Sequence, residues 1–326
     1  MFAVQFKRFG PPQVLTLGTV PEPHPGPDQV RIAVRTAAVS PVDLALREGS
    51  SPAGKHLALP HVPGVDAAGV IDEIGAEVSG YAVGDEVFGA VDVARLGGAS
   101  AQYAVLDFWT RKPHGMTWAE AGAAGTGIET ATRALDLLDI RGNTTLLVDG
   151  AAGGVGSILV QLAVARGARV LGTARPDSHQ FLRELGVEPV DYGPGLPARV
   201  RAVTAAPVDR ALDVAGAGSL GELIELAGTS DSVVTLADFG ASAYGVRLSV
   251  GRLGGEPDGV HGLTSATALA ERGRFRVPVR DIYPAHQAAQ AHETAAQPPR
   301  RGKIVLDMTR TSEVAGVVSA GSVRFG

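Results

Sequence analysis

The chain of 326 residues contains no cysteine. Its absence excludes disulfide bonds, thiolate-bound zinc, iron–sulfur clusters and a cysteine nucleophile at once. A reducing compartment is compatible with that, and a cytoplasmic location is the expectation. An excess of positive charge is missing too: 29 Lys and Arg stand against 34 Asp and Glu, a formal net charge of -5. No basic footprint for nucleic acid results. Long apolar runs are also lacking. No stretch approaches the ~20 residues of a membrane helix, and Met1–Arg8 has no apolar core of signal-peptide length. What is present is an ordinary globular composition, 45% hydrophobic and 19% charged, in a chain long enough for two cores. These features read as a soluble protein that binds a small molecule, with no membrane and no nucleic-acid partner.

Two textures divide the chain. From Val30 to Gly89, short β-like runs (Val30–Val39, Val65–Ile74, Glu86–Ala90) are separated by Gly and Pro, as in a mostly β unit with tight turns. Pro21, Pro23, Pro25 and Pro27 precede it and suit an extended connector. After Trp118 strands and helices alternate. Thr144–Asp149, Arg169–Thr173, Val208–Val214 and Ser232–Leu236 read as strands, with Val155–Arg166, Ser178–Leu185 and Leu220–Ala227 helical between them. In Val155–Arg166 the residues Val155, Ile158, Leu159, Leu162, Ala163 and Ala165 are expected on one apolar face. Such alternation predicts a parallel sheet with crossover helices. The end of the chain reads as a helix, His286–Ala296, and a strand, Gly302–Asp307, which can return to the first domain. Residues 312–326 are small and weakly patterned, and their place is not read.

The strongest local signal is Leu146-Leu147-Val148-Asp149-Gly150-Ala151-Ala152-Gly153-Gly154-Val155-Gly156. It follows a strand and opens a helix, the context that a dinucleotide fingerprint requires. Ala152, Gly153, Gly154, Val155 and Gly156 let the backbone approach a pyrophosphate, whose charge the helix N–H groups and dipole receive. The same turn also occurs in α/β proteins that bind nothing. The second strand runs into Gly172-Thr173-Ala174-Arg175-Pro176-Asp177-Ser178-His179, with Thr173, Arg175 and Ser178 assigned to the adenosine end. An NAD site usually has a carboxylate about 20 residues beyond the glycines, and here Arg175 holds the strand end. A charge-assisted hydrogen bond of roughly 1.5–3 kcal/mol from Arg175 or Ser178 would favour a 2′-phosphate. NADP(H) is therefore expected. The alternative is a solvated Arg175 with Asp177 turned toward the ribose.

Four segments, His61–Ile71, Gly80–Gly89, Ala151–Gly156 and Arg301–Leu306, occur in the order and style of the medium-chain dehydrogenase/reductase superfamily, and the chain resembles its zinc-independent quinone oxidoreductase and enoyl reductase branch. The resemblance implies an α/β Rossmann domain, a doubly wound parallel sheet over 121–259, set into a discontinuous GroES-like, mostly β domain of 1–120 and 260–326. It also implies an active site in the cleft and a homodimer. The superfamily's zinc enzymes bind metal through Cys and His in matching segments. Here Ser40 and Val65 stand at such positions and no cysteine completes a site, so no metal is expected; His61 and Asp66 read as a loop histidine and a turn carboxylate.

Without zinc the Lewis acid for alcohol oxidation is missing, and activated acceptors such as quinones, enones and enoyl compounds remain. The catalytic candidates are Ser40 and Asp43, against readings as a turn residue and a helix-start carboxylate. Relatives commonly have Asn at Ser40 and Tyr near Ser50 or Ser51, and the chain departs at both places. The resemblance puts Thr130 near the nicotinamide, against a reading as a helix N-terminal threonine. Leu236-Ala237-Asp238 ends a strand on the ligand side of the sheet, where the Ala237 backbone can meet the nicotinamide, and Tyr103 reads as a strand residue. Two other readings stay open: reduction of an imine, iminium or carbonyl in a biosynthetic pathway, and a cofactor-binding sensor or structural protein with little catalysis.

Overall fold

The computed structural model describes residues 1–51, 54, 57–298 and 301–310; the segment 312–326 lies outside them. Six strands form one wholly parallel sheet in the order Glu188–Asp191, Arg169–Ala174, Thr145–Asp149, Arg210–Asp213, Val233–Thr235, Arg247–Leu248. The chain runs outward from Thr145–Asp149, then crosses back to Arg210–Asp213 on its other side. That reversal opens a crevice at the carboxyl ends of these two strands, where doubly wound sheets take their ligands. Helices Gly156–Ala165, His179–Glu184, Leu196–Val203 and Leu220–Ala227 make the connections.

The second sheet has seven strands, ordered Val279–Pro284, Lys303–Asp307, Val30–Val39, Asp66–Ile74, Glu86–Ala90, Phe108–Arg111, with Tyr103–Leu106 on Val30–Val39. Its pairs are antiparallel except Val279–Pro284 with Lys303–Asp307. The chain thus leaves this mostly β unit after Phe108–Arg111 and re-enters it at Val279–Pro284. Helix Gly262–Glu271 still lies against the Gly125–Leu137 helix: a Cβ on Gly262 would stand 1.9 Å from the Thr132 hydroxyl. One buried cluster joins the two units, with Ala38, Ala68 and Phe88 from the β side and Ile128, Ile158 and Val160 from the other. Among the described residues, no helix is long and apolar enough to cross a membrane.

The helix expected with a single apolar face over Val155–Arg166 is Gly156–Ala165, and it differs in kind. It is buried nearly all round, with Ser157 and Gln161 enclosed and Ala165 exposed. The reason lies in the returning chain. Gln161 Nε2 donates to the carbonyls of Ser157 (2.6 Å) and Arg276 (2.9 Å), and its Oε1 accepts from the Arg276 N–H (3.0 Å). Polar side chains met by backbone from elsewhere do not need water, so no polar face is required. Asp66 also departs from its reading as a turn residue: it opens the strand Asp66–Ile74 and is fully buried.

Candidate active site

The glycine turn is shaped from below. Gly150 takes φ +88°, a backbone conformation that a Cβ would strain. Its N–H donates to the Thr173 hydroxyl (3.0 Å), which itself donates to Asp149. Asp149 also accepts from Ser219 Oγ (2.6 Å), tying in the loop beyond Arg210–Asp213. Backbone bonds run from the Gly153 N–H to Gly150 and from the Ser157 N–H to Gly153. The N–H groups of Gly154, Val155 and Gly156 between them have no acceptor among the described residues. They form the cradle that a pyrophosphate fits, and a Cβ on Gly156 would close it by meeting the Gly150 carbonyl at 2.2 Å.

Asp213 faces Asp149 in register on the adjacent strand. It accepts from the N–H groups of Ala215 (3.0 Å) and Gly216 (2.8 Å) and from Thr235 Oγ1 (2.7 Å). Burial holds its carboxyl above the usual range, and the Asp149 charge adds to that. Thr235 in turn receives the N–H groups of Ala237 and Asp238. The Ala237 carbonyl then stands 2.9 Å from where a Gly216 Cβ would be, so the crevice walls meet closely there.

Beyond the strand Arg169–Ala174, Arg175 is exposed and Ser178 is buried, its hydroxyl donating to Asp177 (3.0 Å). Tyr192, which the sequence reading passed over, follows the edge strand with half its surface free. Thr173 is buried, and its hydroxyl is fully engaged by Gly150 and Asp149. It shapes the turn from beneath.

The opposite wall comes from the β unit. Ser40 caps helix Pro41–Glu48, and Asp43 in its first turn accepts from the N–H groups of Ser40 (2.7 Å) and Gly64 (2.9 Å). Burial pushes the Asp43 carboxyl up to about 6, with those two hydrogen bonds opposing the rise. Among the described residues, Ser40 Oγ is buried and makes no hydrogen bond. Asp66 accepts from the N–H (2.5 Å) and hydroxyl (2.7 Å) of Thr126 at the start of helix Gly125–Leu137. Lys303 Nζ stands 3.6 Å from Asp66, and its stem lies 3.1 Å from the position of a Gly154 Cβ. This lysine therefore links the β unit directly to the glycine turn. Sequence reasoning missed it, because a lysine in an apolar strand reads as an edge residue. The Thr130 hydroxyl donates to Glu129 (3.1 Å), which pairs with Arg133 (2.9 Å).

The remaining candidates are structural. His61 is buried edge-on to Phe6 with Nε2 3.1 Å from the Leu96 carbonyl, and burial lowers its pKa. Tyr103 lies in a strand with the Arg31 guanidinium 4.9 Å from its ring centre. Among the described residues, no group of three or more His, Cys, Asp or Glu side chains is placed to hold a metal ion.

A doubly wound sheet with a bare glycine turn, faced by a split β unit, defines the dinucleotide-dependent oxidoreductase class. Residues 26–116 match the alcohol dehydrogenase GroES-like domain, and 185–306 match the zinc-binding dehydrogenase family. The chain is similar to the 2-methylene-furan-3-one reductase of Solanum lycopersicum, with 36% identity over 59% of this chain and 52% of that one. It is 35% identical to the quinone oxidoreductase of Sus scrofa over 55% of this chain and 54% of that one. The chain thus spans about half the length of both relatives. A quinone oxidoreductase structure from Coxiella burnetii superposes with a TM-score of 0.82 at 28% identity, covering 94% of this chain and 99% of that one. The chain belongs to the medium-chain dehydrogenase/reductase superfamily.

Proposed function

We propose that the protein is an NADPH-dependent reductase of conjugated carbonyl compounds (quinones, enones or enoyl compounds) that acts without a metal, as a cytoplasmic homodimer with a Rossmann domain over 121–259. The observation that carries this reading is the bare N–H cradle of Gly154–Gly156 joined through Lys303 and Asp66 to the wall that bears Ser40. Ala152, Gly153 and the cradle would hold the pyrophosphate, and Arg175 and Ser178 the 2′-phosphate. A bound dihydronicotinamide would supply the hydride. Thr130 and the Ala237 backbone would border its ring. The Ser40 hydroxyl, buried and unpartnered, is the donor for the acceptor's oxygen as negative charge builds there. Asp43 does not reach the substrate; both its oxygens hold backbone, so it positions Ser40 and Gly64. The last proton comes from water.

Titration with NADPH and NADH, followed by mixing with a quinone, an enone and a cyclic imine, tests this. Tight NADPH binding and oxidation by quinone or enone are expected. Oxidation by the imine alone would replace the reading with imine reduction, and binding with no oxidation would leave a sensor. Arg175→Ala is expected to weaken NADPH tenfold to a hundredfold, in line with one lost charge-assisted hydrogen bond, and NADH far less. Equal losses would remove Arg175 from the phosphate site.

A further inference from the structure

We propose that Arg301 is a second, stacked arm of the 2′-phosphate site and, with Arg175, sets the preference for NADPH over NADH; this rests on the NADPH reading above. Arg301 directly precedes Gly302, whose carbonyl oxygen lies 3.6 Å from the position of a Gly154 Cβ. Its backbone therefore borders the glycine turn. From there the side chain runs toward helix His179–Glu184, placing its guanidinium carbon 5.7 Å from the centre of the Phe181 ring. Phe181 lies about one helical turn beyond Ser178, roughly 5 Å along the axis.

A second arginine shares that ring. Arg276 stands 5.9 Å from it and is paired with Glu184 at 3.2 Å. Arg301 has no carboxylate partner among the described residues, and it is exposed. Stacking on an aromatic face fixes a planar guanidinium while leaving its edge donors free. A guanidinium held in this way, uncompensated and next to a second cation, suits a doubly charged oxyanion. The pyrophosphate already has the three bare N–H groups and the nearby Lys303. The phosphate on the ribose has the fewer donors, Arg175 and a Ser178 hydroxyl that also serves Asp177.

The test compares wild type and Arg301→Ala by binding, read from nicotinamide fluorescence and from displacement by 2′,5′-ADP and 5′-ADP. Arg301 is exposed, so the variant's melting temperature should match wild type. The expected result is about a tenfold weaker affinity for NADPH and for 2′,5′-ADP, with NADH and 5′-ADP within twofold. Equal weakening of all four would place Arg301 on the pyrophosphate and overturn the proposal. Undiminished NADPH preference in the variant overturns it alone. A wild-type protein that prefers NADH overturns the parent reading as well.

Discussion

Two buried residues of the β unit pull its stability in opposite directions with pH. Asp43 titrates near 3.8 when free and about 6 when folded. Between those values the folded state holds the extra proton, so stability falls as pH rises through them, by up to about 3 kcal/mol. His292 moves the other way. Burial, and then the charge of Arg47, push it from 6.5 to about 3, so stability falls as pH drops through that range. Between pH 4 and 6 the two slopes oppose. Asp43→Asn should remove one of them, and its melting temperature should drop more steeply from pH 6 to pH 4 than that of wild type. Parallel pH curves for the two proteins would refute the assignment. The residue scale is also where the sequence is least informative about the site. The glycine turn is legible because glycine has a backbone meaning of its own. The partners of Asp66 are not, since Thr126 and Lys303 reach it from 60 and 237 positions away in sequence.

At the scale of elements, the strands and helices that periodicity did locate lie within a residue or two of their expected spans; Leu220–Ala227 and Glu86–Ala90 coincide with them. Helices Gly125–Leu137 and Gly262–Glu271 were not read from the sequence, and two further unread elements contain a proline. Pro189 lies in Glu188–Asp191, an edge strand that can spare one donor, and Pro197 sits in the first turn of Leu196–Val203, where the N–H is unused anyway. Helix Trp118–Ala121 is set by a capping box in which Thr117 Oγ1 accepts from the Glu120 N–H while Glu120 accepts from the Thr117 N–H. Thr117→Ala should therefore lower unfolding stability by about 1 kcal/mol in urea titration. Gly156→Ala should do more. Its Cβ would stand 2.2 Å from a backbone oxygen that cannot retreat, so a loss of about 1–3 kcal/mol is expected, together with loss of dinucleotide binding in the same titration that tests the cofactor.

For the molecule as a whole, the junction of the two units carries the energetics. Asp66 is fully buried, and Lys303 is the cation nearest it. Lys303→Met should cost about 3–5 kcal/mol by leaving that carboxylate uncompensated. Adding Asp66→Asn should recover part of the loss, and additive losses in the double-mutant cycle would show that the pair is not coupled. The pair of exposed Arg252 and half-buried Asp107 also crosses between the units, at 2.6 Å. Asp107→Ala is expected to change stability by less than about 1 kcal/mol.

The strand Lys303–Asp307 has a consequence for how the protein is made. It lies inside its sheet, between Val279–Pro284 and the Thr36–Val39 end of Val30–Val39. Translation delivers Thr36–Val39 long before the strand that pairs with them, while the six-stranded sheet is contiguous from Thr145 to Leu248 and complete without either end. A nascent chain can thus close its middle first and hold its beginning open until its end emerges. Ribosomes that stall short of residue 303 leave a bare strand edge for neighbouring chains to capture.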